Sequence, residues 1–271
     1  MAALSDLFPV AAVRLGVRAA DWREAMDAAG GLLVETGATT AAYTTEMIRN
    51  VEENGPYIVI APGFAFAHAR PSPAVLRTGL SWVRLERPVE FGHAANDPVQ
   101  LVVGLAAEDS GAHTAAMSAL AKLLADPATA RALQEADDPE ALHTVLARAA
   151  GAAGASGAAG EGLERGARGE RPRGGPAVHK ILTVCGNGVG TSLFLKNTLE
   201  QVLDRWGWSR HVTVEATDTI SAKGKAAEAV AILTSREIAR TLGDVGVPVT
   251  VVEDFTSGFE VDRALRATYD V

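Results

Sequence analysis

The chain has 271 residues, of which 48% are hydrophobic and 21% are charged, with a formal net charge of -8 and one cysteine. This composition is typical of a globular protein long enough for two ordinary domains. The negative charge argues against a nucleic-acid-binding surface, and a lone cysteine without a partner in the chain favours a cytoplasmic protein with a reduced thiol. No apolar run reaches the roughly 18 residues of a membrane span, and charges within the N-terminal apolar pattern argue against a signal peptide.

A segment rich in glycine and alanine, residues 149–177, divides the sequence. Its one large apolar side chain is Leu163, so it is predicted to be a flexible linker rather than a packed element. The flanking residues 1–148 and 178–271 are each long enough for a domain. Residues 1–148 hold most of the excess of acidic groups, which favours a basic protein partner.

The first predicted domain mixes helices and strands. Helices are predicted over "AADWREAMDAAGGLLVETG" and "TTAAYTTEMIRNVEENG", the second ending at Gly55. One strand that enters a turn is predicted for "YIVIAPGFAFAHARP", and further strands for "GLSWVRLERPVEF" and "PVQLVVGLAA". A single helix is predicted over "SGAHTAAMSALAKLLADPATARALQEA", with Asp109 or Ser110 as its N-cap.

The second predicted domain alternates strands with helices. Strands are predicted for "HKILTVC", "HVTVEAT", "AEAVAILT" and "VPVTVVED". Helices are predicted for "TSLFLKNTLEQVLDRWG", "SREIARTLG" and "GFEVDRALRATYDV". Such alternation predicts a small four-stranded parallel sheet with crossover helices, a doubly wound α/β fold.

The cysteine, Cys185, ends the first of these strands, at the edge where parallel sheets bind ligands. A glycine-rich turn follows and leads into a helix, so backbone N–H groups can hold a thiolate or a phosphoryl group bound to it. We therefore expect the pKa of Cys185 to be lowered. The predicted phosphate-binding residues are Gly186, Asn187, Gly188, Val189, Gly190, Thr191 and Ser192. The alternative, a buried structural thiol, explains the cysteine but not the glycine-rich turn.

Three other anion-binding loops fit this segment poorly. A Walker loop needs a lysine before Thr191 or Ser192, and a dinucleotide-binding fingerprint needs glycine at position 191. The loop of cysteine phosphatases, a known family, needs arginine at the same position. The lack of that arginine argues against hydrolysis of a phosphocysteine and favours a stable carrier.

The segment "ILTVCGNGVGTSLFLKNTLEQVL" resembles the phosphocysteine loop of IIB domains of the bacterial phosphoenolpyruvate-dependent sugar phosphotransferase system, most closely the ascorbate type. "AVAILTSREIARTL" and "VTVVEDF" also match that family. The segment "GPYIVIAPGFAFAHARP" resembles the active-site strand of IIA domains of the mannitol, fructose and ascorbate class. The resemblance implies a IIA domain with a mixed sheet flanked by helices, followed by a IIB domain with a phosphatase-like loop.

The resemblance also implies roles for individual residues. His68 would carry phosphohistidine and Cys185 phosphocysteine. His113 would stabilise the phosphoryl oxygens, with a surface histidine as the alternative. Arg70 and Arg49 are candidates for further support of the phosphoryl charge.

Ala67 and His93 are two further residues of interest in the first predicted domain. Ala67 stands where the family usually has proline, which removes a backbone restraint next to His68. His93, in a turn that resembles F-G-x-x-x-N-D-P-V, is expected to be structural. No His, Cys and Asp cluster has metal-ligand spacing, so neither a metal nor a cofactor is expected.

The resemblance implies a relay. HPr would phosphorylate His68, which would pass the group to Cys185 and then to a sugar, L-ascorbate by motif, held by a separate membrane IIC protein. The chain would then meet the membrane only through IIC and would bind no nucleic acid. Two alternatives remain open: a phosphorylation-dependent regulatory module, and the same relay for a pentitol-like or hexitol-like substrate.

Overall fold

The computed structural model describes residues 4–124, 126–157, 179–185 and 191–269. The helices in these residues are Leu4–Leu7 (α1), Trp22–Glu35 (α2), Ala41–Asn54 (α3), Ser110–Leu124 (α4), Pro127–Glu135 (α5), Pro139–Gly157 (α6), Ser192–Trp206 (α7), Thr219–Lys225 (α8), Arg236–Leu242 (α9) and Gly258–Tyr269 (α10). The strands are Val13–Val17 (β1), Val59–Ala61 (β2), Phe64–His68 (β3), Gly79–Val89 (β4), Val99–Ala106 (β5), His179–Cys185 (β6), Val212–Asp218 (β7), Ala231–Thr234 (β8) and Val249–Val251 (β9).

The N-terminal part, from α1 to α6, contains a five-stranded mixed sheet in the order β1-β4-β5-β3-β2. β1–β4 and β3–β5 are parallel, whereas β4–β5 and β2–β3 are antiparallel. Alternate residues of β3 face opposite sides: Ala65 and Ala67 pack under α2 and α3, while Phe64 and Phe66 face α4 and α7. The predicted mixed sheet flanked by helices is confirmed.

Two elements of this part differ from the sequence prediction. The segment "YIVIAPGFAFAHARP", predicted as one strand that enters a turn, contains a hairpin of β2 and β3, because Gly63 adopts a φ of 72° and turns the chain back. The single helix predicted from residue 110 is broken into α4 and α5. Pro127 starts α5, and Asp126 caps it by accepting a hydrogen bond from the Thr129 backbone N–H.

The C-terminal part, from β6 to α10, is a four-stranded parallel sheet in the order β7-β6-β8-β9. Helices α7 and α10 pack on one face, and α8 and α9 on the other, as in a doubly wound fold. Alternate residues of β6 face opposite sides of this sheet. Ile181 belongs to the hydrophobic cluster under α7 and α10, and Leu182 belongs to the cluster under α8 and α9. The predicted parallel α/β sheet is confirmed.

Helix α6 continues to Gly157, nine residues beyond the predicted domain boundary at 148. Its alanine-rich sequence favours helix despite the glycines. Residues 158–177 of the predicted linker lie outside the described residues, so the division into 1–148, 149–177 and 178–271 stays a prediction. Within the described part of the chain, none of the helices is long and apolar enough to cross a membrane.

The two parts contact each other through an aromatic cluster. The ring of Phe194, on α7, lies 6.3 Å from the ring of Phe64 and 5.6 Å from that of Phe66, both edge-to-face. Two hydrogen bonds also cross this contact, from Asn96 Nδ2 to the Glu253 carbonyl oxygen (2.9 Å) and from the Phe255 backbone N–H to the Ile60 carbonyl oxygen (3.1 Å). The contact brings the ends of β3 and β6 to the same region.

Candidate functional site

His68 is the last residue of β3 and is buried, with 8% of its surface exposed. Its Nδ1 lies 2.8 Å from the carbonyl oxygen of Phe66. Because a carbonyl oxygen only accepts hydrogen bonds, Nδ1 carries the hydrogen and Nε2 keeps the lone pair. This hydrogen bond fixes the imidazole orientation although Ala67 replaces the usual proline.

The environment of His68 keeps its ring neutral. Burial, followed by the electrostatic effect of His113, lowers the pKa of His68 to about 4. At neutral pH the ring is therefore uncharged, and Nε2 is a free nitrogen nucleophile.

His113 faces His68 from the first turn of α4. The two ring centroids are 5.6 Å apart, with an interplanar angle of 54°. Burial lowers the pKa of His113, and its buried Nδ1 has no hydrogen-bond partner among the residues that the structure describes. Asp109 is the N-cap, since its carboxylate accepts from the Ala112 backbone N–H. His113 is thus a site neighbour rather than an isolated surface histidine.

A cavity of about 850 Å³ opens over both histidines, between the N-terminal and C-terminal parts. Arg49 and Arg70, the two arginines suggested by sequence, both line it. Arg49 lies 3.8 Å from Glu53, and both side chains are largely exposed, so this pair is weak. The other lining residues include Glu46, Asn50, Tyr57, Ser72, Ser110, Thr114, Asp218 and Ser221.

Cys185 is the last residue of β6 and is 5% exposed. Its thiol donates a hydrogen bond to Ser192 Oγ at 3.4 Å. Thr191 and Ser192 lie where the sequence predicted them, at the start of α7. The other predicted phosphate-binding residues, Gly186, Asn187, Gly188, Val189 and Gly190, lie outside the described residues.

The expectation of a low thiol pKa is wrong for this arrangement. Burial raises the pKa of Cys185, and the hydrogen bonds that Ser192 and Thr191 can donate once the thiol is ionised only partly oppose this rise. Residues of the N-terminal part, including Tyr57 and His93, line a small cavity with Cys185. Because Tyr57 and His93 are far from Cys185 in the sequence, the cysteine loop alone does not reveal that they lie near the thiol.

Tyr57 is a further residue of the site that was not identified from the sequence. Its ring stands edge-on to His68, with centroids 5.8 Å apart and an interplanar angle of 82°. It lines the large cavity with His68 and the small cavity with Cys185. Asn50 Nδ2 donates a hydrogen bond to its hydroxyl oxygen at 2.5 Å. The sequence signal was an aromatic residue just before β2, which alone does not distinguish a site residue from a core residue.

Asp218 is a second neighbour that sequence reasoning missed. The parallel register of β6 and β7 pairs it with Cys185. Its carboxylate accepts hydrogen bonds from the backbone N–H groups of Ile220 and Ser221, which also lower its pKa. The Asp218 carboxylate is therefore the N-cap of α8.

His93 has the structural position that was expected. It is buried, and its Nδ1 accepts hydrogen bonds from the backbone N–H groups of Ala95 and Asn96, which shape the turn after β4. Within the described ranges, no group of three or more His, Cys, Asp or Glu residues is placed to hold a metal ion.

Both parts of the chain match known protein families. The family described as "Phosphoenolpyruvate-dependent sugar phosphotransferase system, EIIA 2" matches residues 6–149. The family described as "PTS system, Lactose/Cellobiose specific IIB subunit" matches residues 180–267.

Individual relatives resemble the N-terminal part. The "Ascorbate-specific PTS system EIIA component" of Escherichia coli K12 is 42% identical over 101 residues, or 37% of this chain and 66% of that protein, just under two thirds of its length. The "Mannitol-specific cryptic phosphotransferase enzyme IIA component" of the same organism is 34% identical over 145 residues, covering 54% of this chain and 98% of that protein. The solution structure of the mannitol-specific cryptic enzyme IIA CmtB from Escherichia coli matches with a TM-score of 0.50 and 33% identity, covering 54% of this chain and 99% of that one.

Proposed function

Because the chain belongs to the phosphoenolpyruvate-dependent sugar phosphotransferase system EIIA 2 family, we propose that it carries a phosphoryl group on His68 and then on Cys185. Both families that it matches are components of a phosphotransferase system. The observation that carries the proposal is the position of Tyr57, which lines one cavity with His68 and another with Cys185. Tyr57 is therefore a neighbour of both cavities that the nucleophiles line.

In the first step, phosphohistidine on HPr donates to His68. The Nε2 lone pair attacks phosphorus, the new N–P bond forms, and the electron pair of the broken N–P bond returns to the donor imidazole. The hydrogen bond from Nδ1 to the Phe66 carbonyl oxygen stabilises the positive charge that the His68 ring acquires. The ring of His113 and the N-terminus of α4 line the same cavity as His68, and in this proposal they stabilise the charge that develops on the phosphoryl oxygens.

In the second step, the Cys185 thiol first loses its proton to solvent. The thiolate then attacks phosphorus, the S–P bond forms and the Nε2–P bond breaks. The electron pair of that bond returns to Nε2, which leaves a neutral imidazole that still carries hydrogen on Nδ1. A neutral imidazole is a good leaving group, and the low pKa of His68 favours its release in this form.

In the last step, a hydroxyl oxygen of a sugar bound to a membrane IIC permease attacks phosphorus and forms the O–P bond. The S–P bond breaks, its electron pair returns to Cys185 as a thiolate, and the hydroxyl proton passes to solvent. We propose L-ascorbate as the sugar, because the ascorbate-specific IIA component of Escherichia coli has the higher identity of the two relatives described above. The IIB family is named for lactose and cellobiose, so those sugars belong in the test.

The test is sugar-dependent loss of phosphate. The chain is labelled with phosphoenolpyruvate, Enzyme I and HPr, and then mixed with IIC membranes and one sugar at a time. Ascorbate should discharge the label faster than mannitol, lactose or cellobiose. Faster discharge by another sugar would reassign the substrate, and no discharge by any IIC would favour a regulatory module.

Replacing His113 with alanine should slow phosphorylation of His68 by about 10²-fold, the range for loss of one charge-stabilising donor. The measurement is the initial rate of labelling from phospho-HPr. His211→Ala is the matched control, since His211 is exposed and lines neither cavity. An unchanged rate in His113→Ala would remove His113 from the mechanism.

The rate of His68 phosphorylation should be nearly constant from pH 8 to about pH 5 and should fall toward pH 4. Protonation of Nε2 removes the lone pair, and the pKa of His68 is lowered to about 4. The rate is measured with excess phospho-HPr, and circular dichroism checks that the chain stays folded. A rate that halves near the ordinary histidine pKa of about 6.5 would contradict the burial of this ring.

A further inference from the structure

We propose that the Tyr57 hydroxyl donates a hydrogen bond to the phosphoryl group as it passes from His68 to Cys185. This inference rests on the proposed relay and adds a residue that binds the group in transit. It starts from the position of Tyr57, which among the described residues is the one side chain shared by the linings of the two cavities that contain the nucleophiles.

Within the described part of the chain, the Tyr57 hydroxyl accepts a hydrogen bond and its own hydrogen is not used. Asn50 Nδ2 donates to the hydroxyl oxygen at 2.5 Å, which uses one of the oxygen's acceptor positions. Asn50 also lines the large cavity, so the hydroxyl lies at the wall of the space over His68. The Asn50 amide therefore holds the hydroxyl in place while its hydrogen can turn to an acceptor in the cavity.

The charge state of Tyr57 suits a donor rather than a base. Burial raises its pKa well above the ordinary tyrosine range, and the electrostatic effects of Tyr43 and Cys185 add to this, while Arg70 opposes it. The hydroxyl therefore keeps its hydrogen at neutral pH. A neutral donor stabilises phosphoryl oxygens without adding a second negative charge next to the Cys185 thiolate.

The geometry favours the second transfer over the first. In the first transfer the group arrives from outside the chain, where His113 and the arginines line the cavity. In the second, the group must leave Nε2 and reach a sulfur that Tyr57 helps to cover. The Tyr57 ring also stands edge-on to His68, with centroids 5.8 Å apart, so Tyr57 neighbours both the donor and the acceptor of the second transfer. Loss of the Tyr57 hydroxyl should therefore slow the transfer from His68 to Cys185 more than it slows the phosphorylation of His68.

The test compares Tyr57→Phe with wild type in the full chain by rapid quench, with labelled phosphate on His68 and on Cys185 measured separately. We expect the ratio of the second rate to the first to fall by about 10- to 10²-fold, the lower part of the range for loss of one preorganised donor. Asn50→Ala, which frees the hydroxyl, should lower the same ratio by a smaller factor.

Tyr269→Phe is the matched control, because it makes the same chemical change far from either cavity, where Tyr269 stacks on His179. Thermal unfolding of each variant shows whether the fold is kept. A Tyr57→Phe ratio equal to wild type, or an equal loss in both steps, would overturn the inference. If wild type itself never acquires phosphate on Cys185, the proposed relay fails, and the inference fails with it.

Discussion

Replacing His68 with alanine should abolish phosphorylation of the whole chain, at Cys185 as well as at position 68. The variant lacks the Nε2 nucleophile through which phosphate enters, and we expect the rate of labelling to fall by about 10⁴-fold or more, as when the nucleophile of covalent catalysis is removed. The measurement is labelled phosphate per chain after incubation with labelled phosphoenolpyruvate, Enzyme I and HPr.

His211→Ala is again the control, and it should label at the wild-type rate. The His68 ring packs against Tyr57, Phe66 and His113, so the alanine variant also loses buried contacts. Its thermal unfolding must therefore be measured, and His68→Gln provides a second variant with a larger side chain. Labelling of Cys185 at the normal rate in either folded variant would disprove entry through His68.

Replacing Cys185 with serine should leave phosphorylation of His68 intact and stop delivery to sugar. Serine has nearly the same size and can still hydrogen-bond to Ser192, so the fold should be kept. Its hydroxyl is a far weaker nucleophile than a thiolate at neutral pH, so we expect sugar phosphorylation to fall by about 10³-fold or more.

The assay for Cys185→Ser is sugar phosphate formed with IIC membranes, alongside phosphate retained on His68. Because the chain has a single cysteine, alkylation of wild type blocks the same position and serves as an independent control. Sugar phosphate formation at the wild-type rate by the serine variant would assign the second carrier site to another residue.

Much of the fold follows from local sequence patterns. Strand and helix alternation after residue 178 predicts the parallel sheet, because such strands need crossover helices. The second strand of the β2–β3 hairpin was missed, although Pro62 and Gly63 mark the turn, because the residues after Gly63 were assigned to the turn. The break before α5 was missed because the apolar spacing continues past Pro127, although proline there starts a new helix.

The candidate site also contains residues that the sequence reveals and residues that only the folded structure reveals. His68, His113 and Cys185 are visible in the sequence because their side chains are nucleophiles or donors within glycine-rich or helix-start motifs. Asp218 lies beside Cys185 only through the register of β6 and β7, and Tyr57 lines a cavity with each nucleophile only through the packing of the two parts. The raised pKa of Cys185 was also missed, since burial in the folded chain outweighs the local hydrogen bonds.

The central claim is that one phosphoryl group visits His68 before Cys185. The most direct measurement is a rapid-quench time course of wild type with labelled phosphoenolpyruvate, Enzyme I and HPr, without IIC, in which each site is assigned by peptide mass spectrometry. Label on His68 should appear first and then decline as label on Cys185 rises after a lag. Label that appears on Cys185 without a lag, or without any label on His68, would contradict the relay.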